Sequence, residues 1–471
     1  MKTRYIPFLA GVALLAGCAV GTNYRSPQVA VPVAFRAPAP LPEPKAASLA
    51  DLKWFQVFQD EQLQDLIRAA LAHNYDLLDA AARVDAARAN LGITRSNQLP
   101  QVNASASLEI TRLSRDGSFP LPSSFVANQN RNWGQAGLSL LSFEVDLWGR
   151  LRRETEAARA TLLNAEENRK AVVSSLVSEV AADYFELREL DYELEISQRT
   201  VQNRREFLQL VRERQGGGVA TLLDRRQSEQ LVSSAAATIP SLQQQIEQTE
   251  NRIALLLGEN PKIIGRGRSL VDQDVPPEVP AGLPSALLDR RPDIRAAEQT
   301  LIAANANIGV AKAAYFPQIS LTGLIGGQSS RLANLVSGPN GAWAFVPQIT
   351  QPIFAGGRIK SGVRLAEAER ERAEIAYRKF IQTAFVEVSD ALIAHQRTRE
   401  SRVEQEKLVS ALQDRKRLAY VRYRGGVDTQ LNALDADRDL FQAELTLAQV
   451  RYAELVSMVQ LYKALGGGWE S

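Results

Sequence analysis

The chain carries its own pattern twice, and no other feature restricts the fold as much. Asp76-Leu77, Leu91-Gly92-Ile93 and Leu99-Pro100-Gln101-Val102 recur 217 residues later as Asp293-Ile294, Ile308-Gly309-Val310 and Phe316-Pro317-Gln318-Ile319. Trp148-Gly149-Arg150, Gly217-Gly218-Val219 and Leu257-Gly258 recur 208 residues later as Gly356-Gly357-Arg358, Gly425-Gly426-Val427 and Leu465-Gly466. The offset changes only inside segments that read as strand and loop, where insertions are best tolerated. A repeat of this length is one supersecondary unit copied, so the fold is built from two of them.

Each repeat reads as helix, two strands, long helix, turn, helix. Ala-rich helices are expected over about 61–98 and 292–314, the second opening on Pro292, whose missing N–H is no loss at a first helical position. After Pro100 the period changes to two: Val102, Ala104, Ala106, Leu108 and Ile110 alternate with Gln101, Asn103, Ser105, Ser107 and Glu109. A partner strand over about 135–147 slips phase at Leu140-Leu141, as a bulge requires. The second pair is expected over about 318–326 and 343–354, where Pro347 and Pro352 weigh against the latter strand. Long Gly-, Ser-, Asn- and Pro-rich loops over about 112–132 and 328–342 join the strands of each pair.

Between Gly149 and the glycines at 216–218 there is no proline. An unbroken helix there would be ~100 Å long at 1.5 Å per residue. Val173, Val180, Leu187, Leu194, Val201 and Leu208 recur every seven residues. In the last helix Leu431, Leu434, Arg438, Phe441, Leu445, Ala448, Tyr452, Leu455, Val459 and Tyr462 step by three and four. Such stripes need partner helices and impose left-handed supercoiling. Pro240 should bend the helix that follows the first turn.

The N-terminus reads as an address. Lys2 and Arg4 precede the apolar run Ile6–Ala16, too short to span a bilayer, and Gly17-Cys18 follows. Leu15-Ala16-Gly17-Cys18 resembles a bacterial lipobox, with acylation expected on Cys18, the only cysteine of the chain. Ala19 behind it is compatible with outer-membrane delivery in the lipoproteins it resembles. Removing 1–17 takes away Lys2 and Arg4, leaving 53 basic against 53 acidic residues. A balanced charge argues against nucleic-acid binding. One cysteine and two histidines offer neither a disulfide nor a zinc site. A mean hydropathy of −0.19 excludes a bundle of membrane helices.

Strands near the length needed for a crossing, on a chain addressed to the outer membrane, suggest a β-barrel. Four strands cannot close one, and open edges do not survive in lipid. Two chains would give eight strands around a filled interior, whereas three would give twelve around a bore. Trp133, Trp343 and Trp148 fall at strand ends, where interfacial aromatics belong, though plain packing explains them equally well.

With Phe143-Glu144-Val145-Asp146-Leu147-Trp148-Gly149-Arg150, Arg291-Pro292-Asp293-Ile294, Ala303-Ala304-Asn305-Ala306, Phe316-Pro317-Gln318-Ile319-Ser320-Leu321, Pro352-Ile353-Phe354-Ala355-Gly356-Gly357-Arg358 and Ala464-Leu465-Gly466-Gly467-Gly468-Trp469, the sequence resembles the TolC-type outer-membrane factors of the acylated OprM/NodT-like branch. The resemblance spans essentially the whole mature chain. It implies a mainly α fold with a small transmembrane β part: a homotrimer with a twelve-stranded β-barrel, four strands per chain, continued by a long periplasmic α-helical barrel. It implies passive export in a tripartite efflux system, with a periplasmic adaptor, an RND-type inner-membrane pump and outer-membrane lipid as partners. The division expected is a signal peptide over 1–17, an acylated arm over 18–60, the first repeat over 61–261, a Pro-rich linker over 262–284, and the second repeat with its tail over 285–471.

The resemblance also points to sites. Gly218, Val219, Gly426 and Val427 fall on the helix tips that meet the adaptor, although glycines there also serve a tight turn. Leu223, Asp224, Tyr423, Leu431, Asn432 and Asp435 fall on the periplasmic gate. The chain departs from one branch at Asp428, where an Arg link is expected, and at Asn432, where an Asp is expected. Thr221-x-x-Asp224 reads equally as a variant capping box. Neither His73 nor His395 has catalytic company, so no catalysis, metal or cofactor is expected beyond the lipid on Cys18. A polypeptide-secretion duct and a non-conducting envelope lipoprotein stay open as alternatives.

Overall fold

The computed structural model describes residues 19–37, 48–112, 130–273 and 282–469. Cys18 and the signal segment lie outside the described residues, as do most of the first inter-strand loop and the proline-rich centre of the linker. In chain order the elements are α1 (Trp54–Val57), α2 (Glu61–His73), α3 (Tyr75–Ser96), β1 (Gln101–Arg112), β2 (Asn130–Glu144), α4 (Arg150–Gly216), α5 (Leu222–Leu256), α6 (Ala286–Arg290), α7 (Pro292–Ala313), β3 (Gln318–Ser329), β4 (Gly341–Thr350), α8 (Arg358–Arg424) and α9 (Gln430–Ala464). The duplication shows in the lengths: α4 and α8 have 67 residues each, and α5 and α9 have 35 each. α5 runs on through Pro240 as one helix.

The chain divides into two compact units. One comprises Met1–Pro27, Val84–Asn164 and Ala297–Ala376 and contains an antiparallel sheet in the order β1-β2-β3-β4. Gln101 pairs with Leu141 and Arg112 with Asn130, while Gln318 pairs with Thr350. The β2–β3 register shifts between Leu140 and Phe143, the site of the phase slip in the sequence. β2 ends at Glu144 rather than near 147 because Asp146 turns the chain, accepting hydrogen bonds from the backbone N–H groups of Leu151 and Arg152 at the start of α4. β4 stops at Thr350, short of the expected 354. Pro347 is accommodated inside it, opposite Leu321, because β4 lies at an edge of the sheet. Val102, Leu108, Ile110, Ile325, Trp343, Phe345 and Ile349 are all exposed. No helix among the described residues is long and apolar enough to cross a membrane.

The other unit comprises Gln28–Arg83, Ala165–Ala296 and Tyr377–Ser471. The helix expected over 61–98 is broken at Asn74, which caps both neighbours. Its backbone N–H closes α2 on Ala70, its Oδ1 accepts from Leu77 N–H to open α3, and its Nδ2 donates to the Leu256 carbonyl. Phe58 packs edge-on against Phe185 and Tyr462. Beside it the Asp60 carboxylate, almost fully buried, accepts from Gln62 N–H, the Tyr184 hydroxyl, Arg268 N–H and Gln273 Nε2. Burial opposes its charge, but these donors together hold its pKa below the usual carboxylate range.

Glu189 and Glu193, one turn apart on α4, are buried in the same unit, with Gln449 Nε2 donating to Glu193. Burial first, and then the Glu193 charge, pushes Glu189 from 4.5 up to about 9. The folded chain therefore holds a proton that the unfolded chain releases, so stability falls as pH rises through that window. Glu189→Gln removes the dependence. Its melting temperature is expected to exceed that of the parent at pH 8 and to match it near pH 4, and equal melting at both would contradict the assignment.

A candidate gate and docking site at the paired helical turns

The two helix-to-helix turns have the same backbone. After α4, Gly218 has φ +78°, its N–H bonds to Gln215 O, and Val219 N–H reaches back to Arg214 O at 2.8 Å. After α8, Gly426 has φ +75°, its N–H bonds to Tyr423 O, and Val427 N–H reaches Arg422 O at 3.1 Å. Both are Schellman endings, which need a residue without a Cβ at the left-handed position. The space around both glycines is open, and Val219 and Val427 are well exposed. The four docking candidates are thus two equivalent, solvent-facing knuckles.

The helices that leave these turns are fastened differently. Thr221 and Asp224 form a full capping box: Asp224 N–H donates to Thr221 Oγ1, and the Asp224 carboxylate accepts from both Thr221 N–H and its hydroxyl. Thr429, its counterpart, makes no side-chain cap. Asp428 takes the role instead, accepting from Arg422 Nε at 3.0 Å, Asn432 Nδ2 and Thr429 N–H. Those donors, Arg422 first, hold the Asp428 carboxyl below its usual range. Asp428 and Asn432 therefore form a local clip.

The six gate candidates separate into three kinds. Leu223 and Leu431 are exposed at 66% and 55%. Asp435 is half-exposed, one turn beyond Leu431, and its carboxylate makes an i,i+3 pair with Arg438 at 3.4 Å. Asp224 and Asn432 are engaged in the caps just described. Tyr423 is not presented to solvent. It sits with Phe207, Val211, Ala433 and Leu434 in a buried cluster, under the Arg214 guanidinium at 4.6 Å. Burial pushes its phenol pKa up.

Three groups at the turns lie outside the sequence expectations. Gln430 ties the two repeats together, donating from Nε2 to Asp224 O at 2.7 Å and to Ser228 Oγ at 2.9 Å. Arg204 Nε meets Asp437 Oδ2 at 2.6 Å with both side chains buried, and Lys416 meets the other Asp437 oxygen. The expected stripe put Arg438 in the seam of α9, but Arg438 is exposed and Asp437 is buried. In the first repeat Glu229 holds the position equivalent to Asp437, where Arg225 and Arg226, aided by Arg212, pull its pKa to about 2.

His73 Nδ1 lies 3.2 Å from the Ala69 carbonyl, and His395 Nδ1 lies 3.1 Å from Ser457 Oγ. Burial lowers the His395 pKa. Among the described residues no group of three or more His, Cys, Asp or Glu could hold a metal ion.

A duplicated helical chain bearing a four-stranded sheet with an exposed apolar face defines the class of helical outer-membrane channels. The chain belongs to the outer membrane efflux protein family, whose model matches residues 66–259 and 283–467. It is 39% identical over 463 residues to the toluene efflux pump outer membrane protein TtgC of Pseudomonas putida, covering 97% of this chain and 94% of that one. It is 35% identical over 467 residues to the cation efflux system protein CusC of Escherichia coli, covering 99% of each. The fold superposes on the open state of the Neisseria gonorrhoeae MtrE outer membrane channel with a TM-score of 0.87, at 34% identity over 96% of this chain and 99% of that one. The chain is therefore an outer-membrane efflux channel component with a TolC-like fold.

Proposed function

We propose that three copies of the chain form a passive exit duct, a twelve-stranded barrel in the outer membrane continued by helices into the periplasm. Substrate arrives from an RND-type inner-membrane pump through a periplasmic adaptor. The observation that carries this reading is the sheet itself. β1 and β4 are both unpaired edges of a four-stranded sheet whose apolar face is exposed, and lipid tolerates no open edge. Closure by copies of the same sheet satisfies every edge, and three copies leave a bore. Acylation of Cys18 adds the lipid anchor.

The adaptor docks on the knuckles at Gly218-Val219 and Gly426-Val427, which project apolar side chains beyond the capped helix starts. Leu431 and Asp435 form the constriction in three copies, with Leu223 beside them. Asp224 and Asn432 hold the helix starts, and Tyr423 supports them from within. A photo-reactive residue at Val219 or Val427 tests the reading in cells. Native mass measurement is expected to return three copies of the chain with adaptor covalently captured. A folded monomer in mild detergent overturns the duct, and a trimer with no captured adaptor overturns the docking assignment alone.

A further inference from the structure

The four strands hold four ionisable residues, Glu109, Arg112, Arg131 and Glu144. Register sorts them by face, because residues directly opposite each other across a ladder share one. Ala104, Leu138, Ile325 and Trp343 make one row of the apolar face. Arg112 ends the apolar stripe of β1. On the other face Asn103 meets Ser139, Ser107 meets Gln135, Glu109 meets Trp133 and Thr111 meets Arg131. Ser320 opposite Gln348 and Gln318 opposite Thr350 carry that face across β3 and β4. Trp133, expected among interfacial aromatics, therefore lies on the polar face, whereas Trp343 lies on the apolar one.

The two carboxylates of the polar face are in opposite states. Glu144, at the helix-side end, is neutralised: it accepts from Arg150 at 2.6 and 2.9 Å and from Gln318 Nε2 at 2.6 Å. Glu109, near the far end of β1, is exposed and has no ion-pair partner among the described residues. Its neighbour across the ladder is a half-buried indole. Directly opposite side chains in an antiparallel pair have Cβ atoms about 5 Å apart. A carboxylate beside an indole is the chemistry that receives an organic cation. The first answers the charge, and the second offers a π face to an alkylated nitrogen. A small hydrated metal ion gains from the carboxylate alone.

We propose that Glu109 and Trp133 line a subsite for organic cations at the outer mouth of the bore, a second filter in series with the constriction at the helical turns. The inference rests on the three-copy duct reading, which makes the polar face the lining of the bore. Twelve tilted strands ~4.8 Å apart enclose a wall of radius roughly 12 Å. Three carboxylates reaching inward from it stand on the order of 10 Å apart, which is about one Debye length in ordinary salt. That is too far to chelate one ion. The ring therefore acts as a field that dilute salt reveals and concentrated salt screens, and each indole adds contact for cations that carry alkyl groups.

Planar bilayers holding the full mature protein test the subsite, with tetrabutylammonium added on the barrel side in dilute potassium chloride. Two quantities are read: the potassium-to-chloride permeability ratio and the concentration of tetrabutylammonium that halves the current. Glu109→Gln is expected to lower the ratio about twofold and to raise the blocking concentration about fivefold. Trp133→Leu should raise the blocking concentration by a similar factor and leave the ratio at the parent value, a split that a merely structural role would not produce. Arg131→Gln keeps both groups and should strengthen the preference for potassium. Asp435→Ala, at the opposite end of the duct, should leave block from the barrel side unchanged. Parent-like block in both Glu109→Gln and Trp133→Leu overturns the subsite. A parent protein that carries no current overturns the duct reading and the subsite with it.

Discussion

Asp437→Ala is expected to loosen the paired turns far more than any exposed substitution near them. The change leaves the Arg204 guanidinium buried at 4% exposure, with Nη2 already lacking a hydrogen-bond partner and only the Leu231 carbonyl holding Nη1. Breaking a buried pair by removing one partner costs about 3–5 kcal/mol. At 1.4 kcal/mol per factor of ten, that is more than a hundredfold in the opening equilibrium. Hydrogen exchange of peptides covering 204–216 and 430–440 measures it directly. The paired change Arg204→Met with Asp437→Leu should restore most of the protection, because apolar replacement of both partners is often neutral. If Asp437→Ala exchanges like the parent, the buried pair does not hold the turns.

Leu431→Ala with Asp435→Ala should instead act on the bore. The two residues lie one turn apart on α9, Leu431 exposed and Asp435 with only a loose ion pair to Arg438, so removing them unfastens nothing inside the chain. In three copies they would narrow the opening with a ring of leucines and a ring of carboxylates, and carboxylate rings favour cations. Single-channel conductance of the double variant in a planar bilayer is expected to rise several-fold, with weaker preference for cations. Asp224→Ala provides the contrast. Its carboxylate is consumed by the capping box, so it should cost about 1 kcal/mol of helix stability and leave conductance near the parent value. Equal conductance in the double variant and the parent would remove Leu431 and Asp435 from the constriction.

Much of this architecture was readable from residue type alone, and the reasons are local. Prolines cannot continue a helix and glycines can enter the left-handed region, so Pro100, Pro317, Gly218 and Gly426 marked ends that appear within a few residues. The bulge was visible because one extra residue flips the alternation, and Leu140-Leu141 shows that flip. Other features depend on partners that lie far away in the chain. Asn74 looks like any polar residue in an amphipathic helix, and only its bond to Leu256 explains the break. The spacing in α9 pointed to Arg438, but Asp437 is the buried neighbour because Arg204 and Lys416, far away in the chain, meet its two carboxylate oxygens. The resemblance put Tyr423 on the gate, and nothing in the sequence signalled that its ring packs beside Phe207, where a large aromatic gains from burial.

The different fastenings of the two turns have a mechanical outcome. One knuckle of each chain is closed by a capping box internal to its own helix start, and the other by a clip between Arg422, Asp428 and Asn432 that a competing charge could draw open. In an assembly of three such chains, three turns would carry the internal capping box and three the charge-sensitive clip, so added salt would loosen only half of them.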